Sequence, residues 1–292
     1  MRKWWVVIIS CSVGGWMVAG QESPVAQAER TPAIVISSLP ANIQLIIGMA
    51  NEDYYQPRVD AIHALADDLP PEQVQALMDF LSVRLEDQRL PDLEFNGLKN
   101  QLTWRLIHQI HKPVALAGNL VMMYRDTTYD ETWRDYCIQF CAKYYPFAVS
   151  AEDKAIMAEA LFDATANERN NRIAGTAGYM LSHLTEYPAF REDRVKDALY
   201  EALCDPECSN ISKVALLQGS AELGDLRILP IARDLAKSNL DIPLRMSSIA
   251  AIGFLGDTDD LAFLTELTKI NDIRIQKPAL AAIEKIKSRK QD

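Results

Sequence analysis

With 292 residues, 24% of them charged and 49% hydrophobic, the chain has the composition of an ordinary folded protein and enough apolar material for a continuous core. Its 40 acids and 30 bases leave a net charge of −10, which argues against a nucleic-acid binder, because neutralising phosphates needs a basic face.

At the N-terminus Met1-Arg2-Lys3 forms a basic head, residues 4–19 are almost wholly apolar, and Ala26-Gln27-Ala28 is a small-x-small cleavage site. Between them Gln21-Glu22-Ser23-Pro24-Val25 is polar and helix-breaking. This order predicts a secretory signal peptide over 1–28, cleaved after Ala28, with Val18-Ala19-Gly20 as the second choice. Two readings compete with it. An uncleaved anchor would have to span with residues 4–19, a short stretch for a bilayer. A lipoprotein processed at Cys11 would leave few apolar residues ahead of the cysteine. The expected mature chain is periplasmic or secreted, without a membrane span after cleavage. It would comprise a capping segment at 29–52 and one repeat domain over 53–292.

From residue 53 onward a helical pattern recurs. Basic residues at 58, 99, 134, 172, 213, 245 and 274 each stand near the start of an apolar helix, at intervals of 29 to 41 residues. Such intervals suit stacked helix–turn–helix units. Second amphipathic stretches lie between them at 71–81, 152–162, 193–203, 229–236 and 261–267, with apolar residues such as Val74, Leu77, Met78 and Leu81 at three- and four-residue steps. Thr128-Tyr129-Asp130-Glu131 and Ser150-Ala151-Glu152-Asp153 read as helix starts. The clearest copies are Lys213-Val214-Ala215-Leu216-Leu217, closed by Leu223-Gly224-Asp225, and Arg245-Met246-Ser247-Ser248-Ile249, closed by Leu255-Gly256-Asp257. Small residues (Ala215, Ala221, Ala250, Ala251, Gly253) let neighbouring helices approach. Gly224 and Gly256 are expected in the left-handed conformation of a helix end, with Asp225 and Asp257 each capping the next helix. No long alternating β-branched run occurs in the body, so the predicted class is all-α.

Leu244-Arg245, Ala250-Ala251-Ile252-Gly253, Leu255-Gly256-Asp257 and the matching stretch 214–225 resemble a HEAT-type repeat, in particular the short variety also found in phycobilin lyases. The resemblance covers the chain from about residue 50 and is weakest at 91–150. It implies a right-handed α-solenoid of about six to seven helix–turn–helix units. No lyase motif can be carried over residue by residue. Some HEAT-repeat proteins are iron enzymes that use His-Glu pairs, and this chain has no His-Glu dipeptide.

Candidate site residues are few. Cys204 and Cys208 flank the helix-breaking Asp205-Pro206 and are candidates for a local disulfide. Cys137 and Cys141, one turn apart in an apolar helix, read as core thiols. His108 and His111 share a helix face and are weak metal candidates, lacking a carboxylate at matching spacing. His183 reads as a helix C-terminal cap, and no cofactor is predicted. Residues 124–136 have the composition of a binding hot spot, with Tyr124, Arg125, Tyr129, Trp133 and Arg134 in front. The competing reading packs these aromatics between divergent repeats. Arg134, Arg172, Lys213 and Arg245 are further binding candidates on a repeat surface, against a structural role in pairing or capping. The expected function is an exported interaction module holding another envelope or extracellular protein. The alternative is a repeat-fold enzyme or a protein that handles a metal or cofactor.

Overall fold

The computed structural model describes residues 38–48, 55–87, 90–238 and 241–289. The leader predicted at 1–28 lies outside them, as do 29–37 and 49–52 of the predicted capping segment. Among the described residues the chain forms fourteen α-helices and no β-strand.

Seven helices hold the odd places: α1 (Ala41–Ile46), α3 (Pro71–Leu81), α5 (Leu116–Arg125), α7 (Ala151–Asn167), α9 (Glu192–Cys204), α11 (Leu229–Lys237) and α13 (Asp260–Leu267). Seven alternate with them: α2 (Tyr55–His63), α4 (Asp92–Ile107), α6 (Glu131–Tyr144), α8 (Ile173–His183), α10 (Asn210–Glu222), α12 (Ile242–Leu255) and α14 (Ile273–Ser288). Each odd helix packs on the even helix after it, and each even helix packs on the next even one. Their apolar faces merge into one core that runs from Leu39 to Ile286.

The even helices run parallel, as the order of their contacts requires. Along α8 and α10, Gly175 N–H donates to Ser212 Oγ at 2.8 Å, Tyr179 Oη meets Gln218, and His183 stands 3.9 Å from Glu222. Both numbers climb together. The same holds for Glu131 with Arg172 and Asp135 with Thr176 between α6 and α8. Glycines set the approach distance: a Cβ on Gly175 would lie 2.6 Å from Ser212 Cα, and one on Gly253 2.8 Å from Ala282 Cα. Neither neighbour is a side chain that can swing away.

Helix starts agree with the capping signals. Asp130 accepts from Trp133 N–H at 3.0 Å, and Ser150 Oγ accepts from Glu152 and Asp153 N–H. Gly224 has φ +67°, the left-handed helix end that the sequence predicts. Gly256 corrects the same expectation, for its φ is −68°. Glycine is needed there because a Cβ would sit 2.4 Å from Asp260 Oδ2 and 2.6 Å from the Ile252 carbonyl. Asp225 and Asp257 accept from N–H groups two residues on, Arg227 and Asp259.

The recurrent basic residue has a common task in four helix pairs. Arg58 donates to the Ile46 carbonyl at 2.6 and 3.1 Å, Lys99 to that of Val83, Arg134 to that of Tyr124 at 2.8 Å, and Arg245 to that of Ala236 at 2.8 Å. Each acceptor lies at the end of the odd helix of the same pair, or for Val83 two residues past it, where carbonyls lack helical partners. A buried cation meets the negative end of the helix dipole and latches the two helices together. For the three arginines, charged hydrogen bonds of this kind contribute about 1.5–3 kcal/mol each; at Lys99 burial works against the charge.

Candidate interaction surface

The residues expected to form a contact patch at 124–136 are turned largely inward. Trp133 has no exposed surface, and its indole N–H faces Met123 Sδ at 3.4 Å. Tyr124 is buried and donates its hydroxyl to Asp163 Oδ2 at 2.9 Å; burial first, and Asp163 next, push that phenol well above its ordinary range. Tyr129 donates to the Ser82 carbonyl at 2.8 Å beneath the Arg84 guanidinium. Arg134 and Arg245 are buried in their latches, and Arg134 also meets Glu168. Arg125 and Arg172 remain half-exposed in ion pairs with Glu159 and Glu131 at 2.8 and 3.0 Å. Lys213, near the start of α10, is half-buried. Burial removes Tyr124, Trp133, Arg134 and Arg245 from any exposed surface, and the aromatics pack between helices.

Cys204 is exposed and Cys208 buried, and both carry free thiols. Cys137 and Cys141 are buried free thiols in α6; burial pushes Cys141 up to about 12, so neither offers a thiolate. His108 and His111 are engaged separately. The His108 ring lies on Trp104 with Nδ1 2.8 Å from the Trp104 carbonyl, while His111 stands 3.8 Å from Asp68. Among the described residues no group of three or more His, Cys, Asp or Glu side chains is placed to hold a metal ion. Ser182, His183 and Glu222 are adjacent, with Ser182 Oγ 3.0 Å from His183 Nδ1. Ser182 is buried and gives its proton to the Tyr179 carbonyl at 2.7 Å, so it presents no nucleophile to solvent.

One surface that the fold leaves exposed, and the one that carries exposed aromatic rings, is the C-terminal edge of the even helices. Because these helices are parallel, His63, His108, His183 and Glu222 stand at or beside the ends of α2, α4, α8 and α10, and Phe254 and Lys285 near those of α12 and α14. Trp104, Phe147 and Phe254 are each more than two-fifths exposed. Trp104, His108 and Phe147 form one stack with centroids 4.4 and 5.3 Å apart. Further along, Tyr179 stacks on His183 at 4.4 Å, Gln218 bridges the Tyr179 hydroxyl and Glu222, and Lys285 covers the Phe254 ring. The backbone beneath is fixed. Arg289 donates to the Phe254 and Gly256 carbonyls, and Gln109 clamps the α2–α3 connection through Ala66 and Leu69. Aromatic side chains with few torsions on a fixed backbone lose little entropy on contact.

Sequence reasoning missed this edge, though a signal existed. In α4 the buried positions 95, 98, 99, 102, 103, 106 and 107 keep the helical period, and Trp104 falls outside it. Phe147 lies in the α6–α7 connection, where no periodicity applies. Comparison with known protein families and with curated proteins finds no match for the chain.

Proposed function

We propose that this protein is a right-handed α-solenoid of seven HEAT-like helix pairs that serves as an exported, non-enzymatic scaffold. It would hold another protein of the envelope or extracellular space along the C-terminal edge of its even helices. The observation that carries the reading is a series of exposed and half-exposed rings along this edge: Trp104 and His108 at the end of α4 with Phe147 from the connection after α6, Tyr179 and His183 in α8, and Phe254 in α12. A monomer gains nothing by leaving such rings in water, and interface centres are enriched in them. Acidic composition and the lack of catalytic sequence motifs support the same reading. Export rests on the order of basic head, apolar stretch and small-x-small site within 1–28.

The test is site-specific photocrosslinking in the native host, with the reactive residue at Trp104, at Phe254, or at the exposed Ile211 on the opposite edge. One dominant protein captured from both 104 and 254 but not from 211 is expected, on a chain whose N-terminus is Glu29. No captured protein, together with stoichiometric metal that is lost in His108→Ala, would overturn the scaffold in favour of a metal-handling protein.

A further inference from the structure

The connections after α4 and α6 meet beside the Trp104–His108–Phe147 stack and enclose an open groove of about 470 Å³. Its rim carries the most exposed large aliphatics of this region, Val114 at 90%, Val149 at 87% and Ile110 at 65%. Three exposed aliphatics around one groove, beside exposed aromatic rings, give a clustered apolar rim rather than scattered single side chains. Charge supplies the second half of the argument. In a chain with ten more acids than bases, residues 95–125 contain no Asp or Glu at all. Lys112 stands where groove and stack join, its Nζ held by the Ile107 and Gln109 carbonyls at 3.0 and 2.8 Å and 5.5 Å from the Phe147 ring. It is therefore a fixed cation, not a waving one. His111, on the same wall, is almost fully exposed. Two carboxylates outweigh the Lys112 cation in net charge, Asp68 facing His111 and Asp153 lining the far wall in the first turn of α7, so the attraction for an anion is local to the Lys112 ammonium.

Resting on the scaffold reading, we infer that this groove takes an extended segment of the partner protein that carries a large apolar side chain next to a carboxylate. The apolar side chain fills the space between Ile110, Val114 and Val149, and the carboxylate meets Lys112 and His111. Such a division of labour, area from the apolar contact and orientation from the charge, is usual for peptide grooves.

The probes are a short fluorescein-labelled peptide alternating Asp with Phe and Leu, its counterpart with Lys for Asp, and phosphatidylglycerol vesicles, each titrated against the full chain. The acidic peptide is expected to bind on the order of tenfold more tightly than the Lys peptide. Val114→Asp and Val149→Asp, both at exposed positions that the fold does not need, should each weaken it at least several-fold. Leu226→Asp, exposed elsewhere, should leave it unchanged. Equal binding of the two peptides, or indifference to Val114→Asp, overturns the inference. Vesicle binding that Val114→Asp abolishes overturns it in favour of a lipid surface. A partner still captured from Phe254 would in those cases leave the scaffold standing without this groove.

Discussion

Lys99 shows how much one residue can be asked to do in this chain. It is 1% exposed, donates to the Val83 carbonyl, and lies 4.7 Å from the centroids of both Phe95 and Trp133. Burial lowers its ammonium from 10.5 to about 8, against the opposing pull of Cys137 and Asp130. Between those two values an unfolded lysine keeps its proton while the folded one has released it. The unfolded state then binds more protons, so the stability contributed at Lys99 rises with pH through that window and is flat below it. Tyr124, Cys137 and Cys141, pushed up by burial, act in the opposite sense. A difference between the native chain and Lys99→Met cancels the Tyr124 and Cys141 contributions, since methionine retains most of the apolar stem, whereas Cys137, which feels the Lys99 charge, stays coupled to the change. Urea titrations at about pH 7 and about pH 10 should show the native-minus-variant free energy rising by roughly 2–3 kcal/mol. A flat difference would put the ammonium in water. The sequence made the period of such basic residues legible, and pairing or capping as a role for Arg134 and Arg245, but not the helix-end carbonyl each one meets, because a backbone acceptor carries no side-chain signature.

At the level of elements, the small residues decide how closely the even helices pack. Gly175 and Gly253 face backbone atoms of the next even helix, whereas a Cβ on Gly118 in α5 would meet nothing within 4 Å. All three occupy helical positions, so conformational freedom does not separate them. Gly175→Ala and Gly253→Ala should each destabilise by about 1–3 kcal/mol, because the helices must move apart. Gly118→Ala should stabilise by up to about 1 kcal/mol through helix propensity alone. Thermal melts of the three variants check this, and destabilisation by Gly118→Ala as large as the others would detach the effect from helix contact. Gly253 was legible as a packing residue because it lies within a cluster of small residues that recurs in register. Gly256 was legible as a necessary glycine but for the wrong reason: its constraint is the Asp260 carboxylate one turn on, which no local rule contains. The cap at Ser150 was fully legible, since capping is a matter of neighbours in sequence; at 128–131 the helix start was legible, but the cap is Asp130 rather than the threonine of a Thr-x-x-Glu box.

Across the whole molecule, legibility and packing change together. The repeat is plain in the last three units, where glycine and alanine bring α8, α10, α12 and α14 into close contact. It fades over 91–150, where α4 and α6 touch least among successive even helices. There the space is filled by Phe95, Trp133 and the Lys99 side chain. Large side chains can fill a wide junction in many ways, so no small-residue signature marks it. The same contrast bears on stability. In an array where units touch only their neighbours, opening free energies depend on the local interfaces. Amides of α8, α10 and α12 should therefore exchange only near global unfolding, and those of α2 and α4 at a free energy lower by about 1–2 kcal/mol or more. Hydrogen exchange read by mass spectrometry separates these segments. Uniform protection from α2 to α14 would mean a single cooperative unit, and Gly175→Ala would then lower protection in α2 as much as in α10. Graded protection would confine the loss to α8, α10 and α12, leaving the Trp104–His108–Phe147 stack on the part of the array that yields more readily.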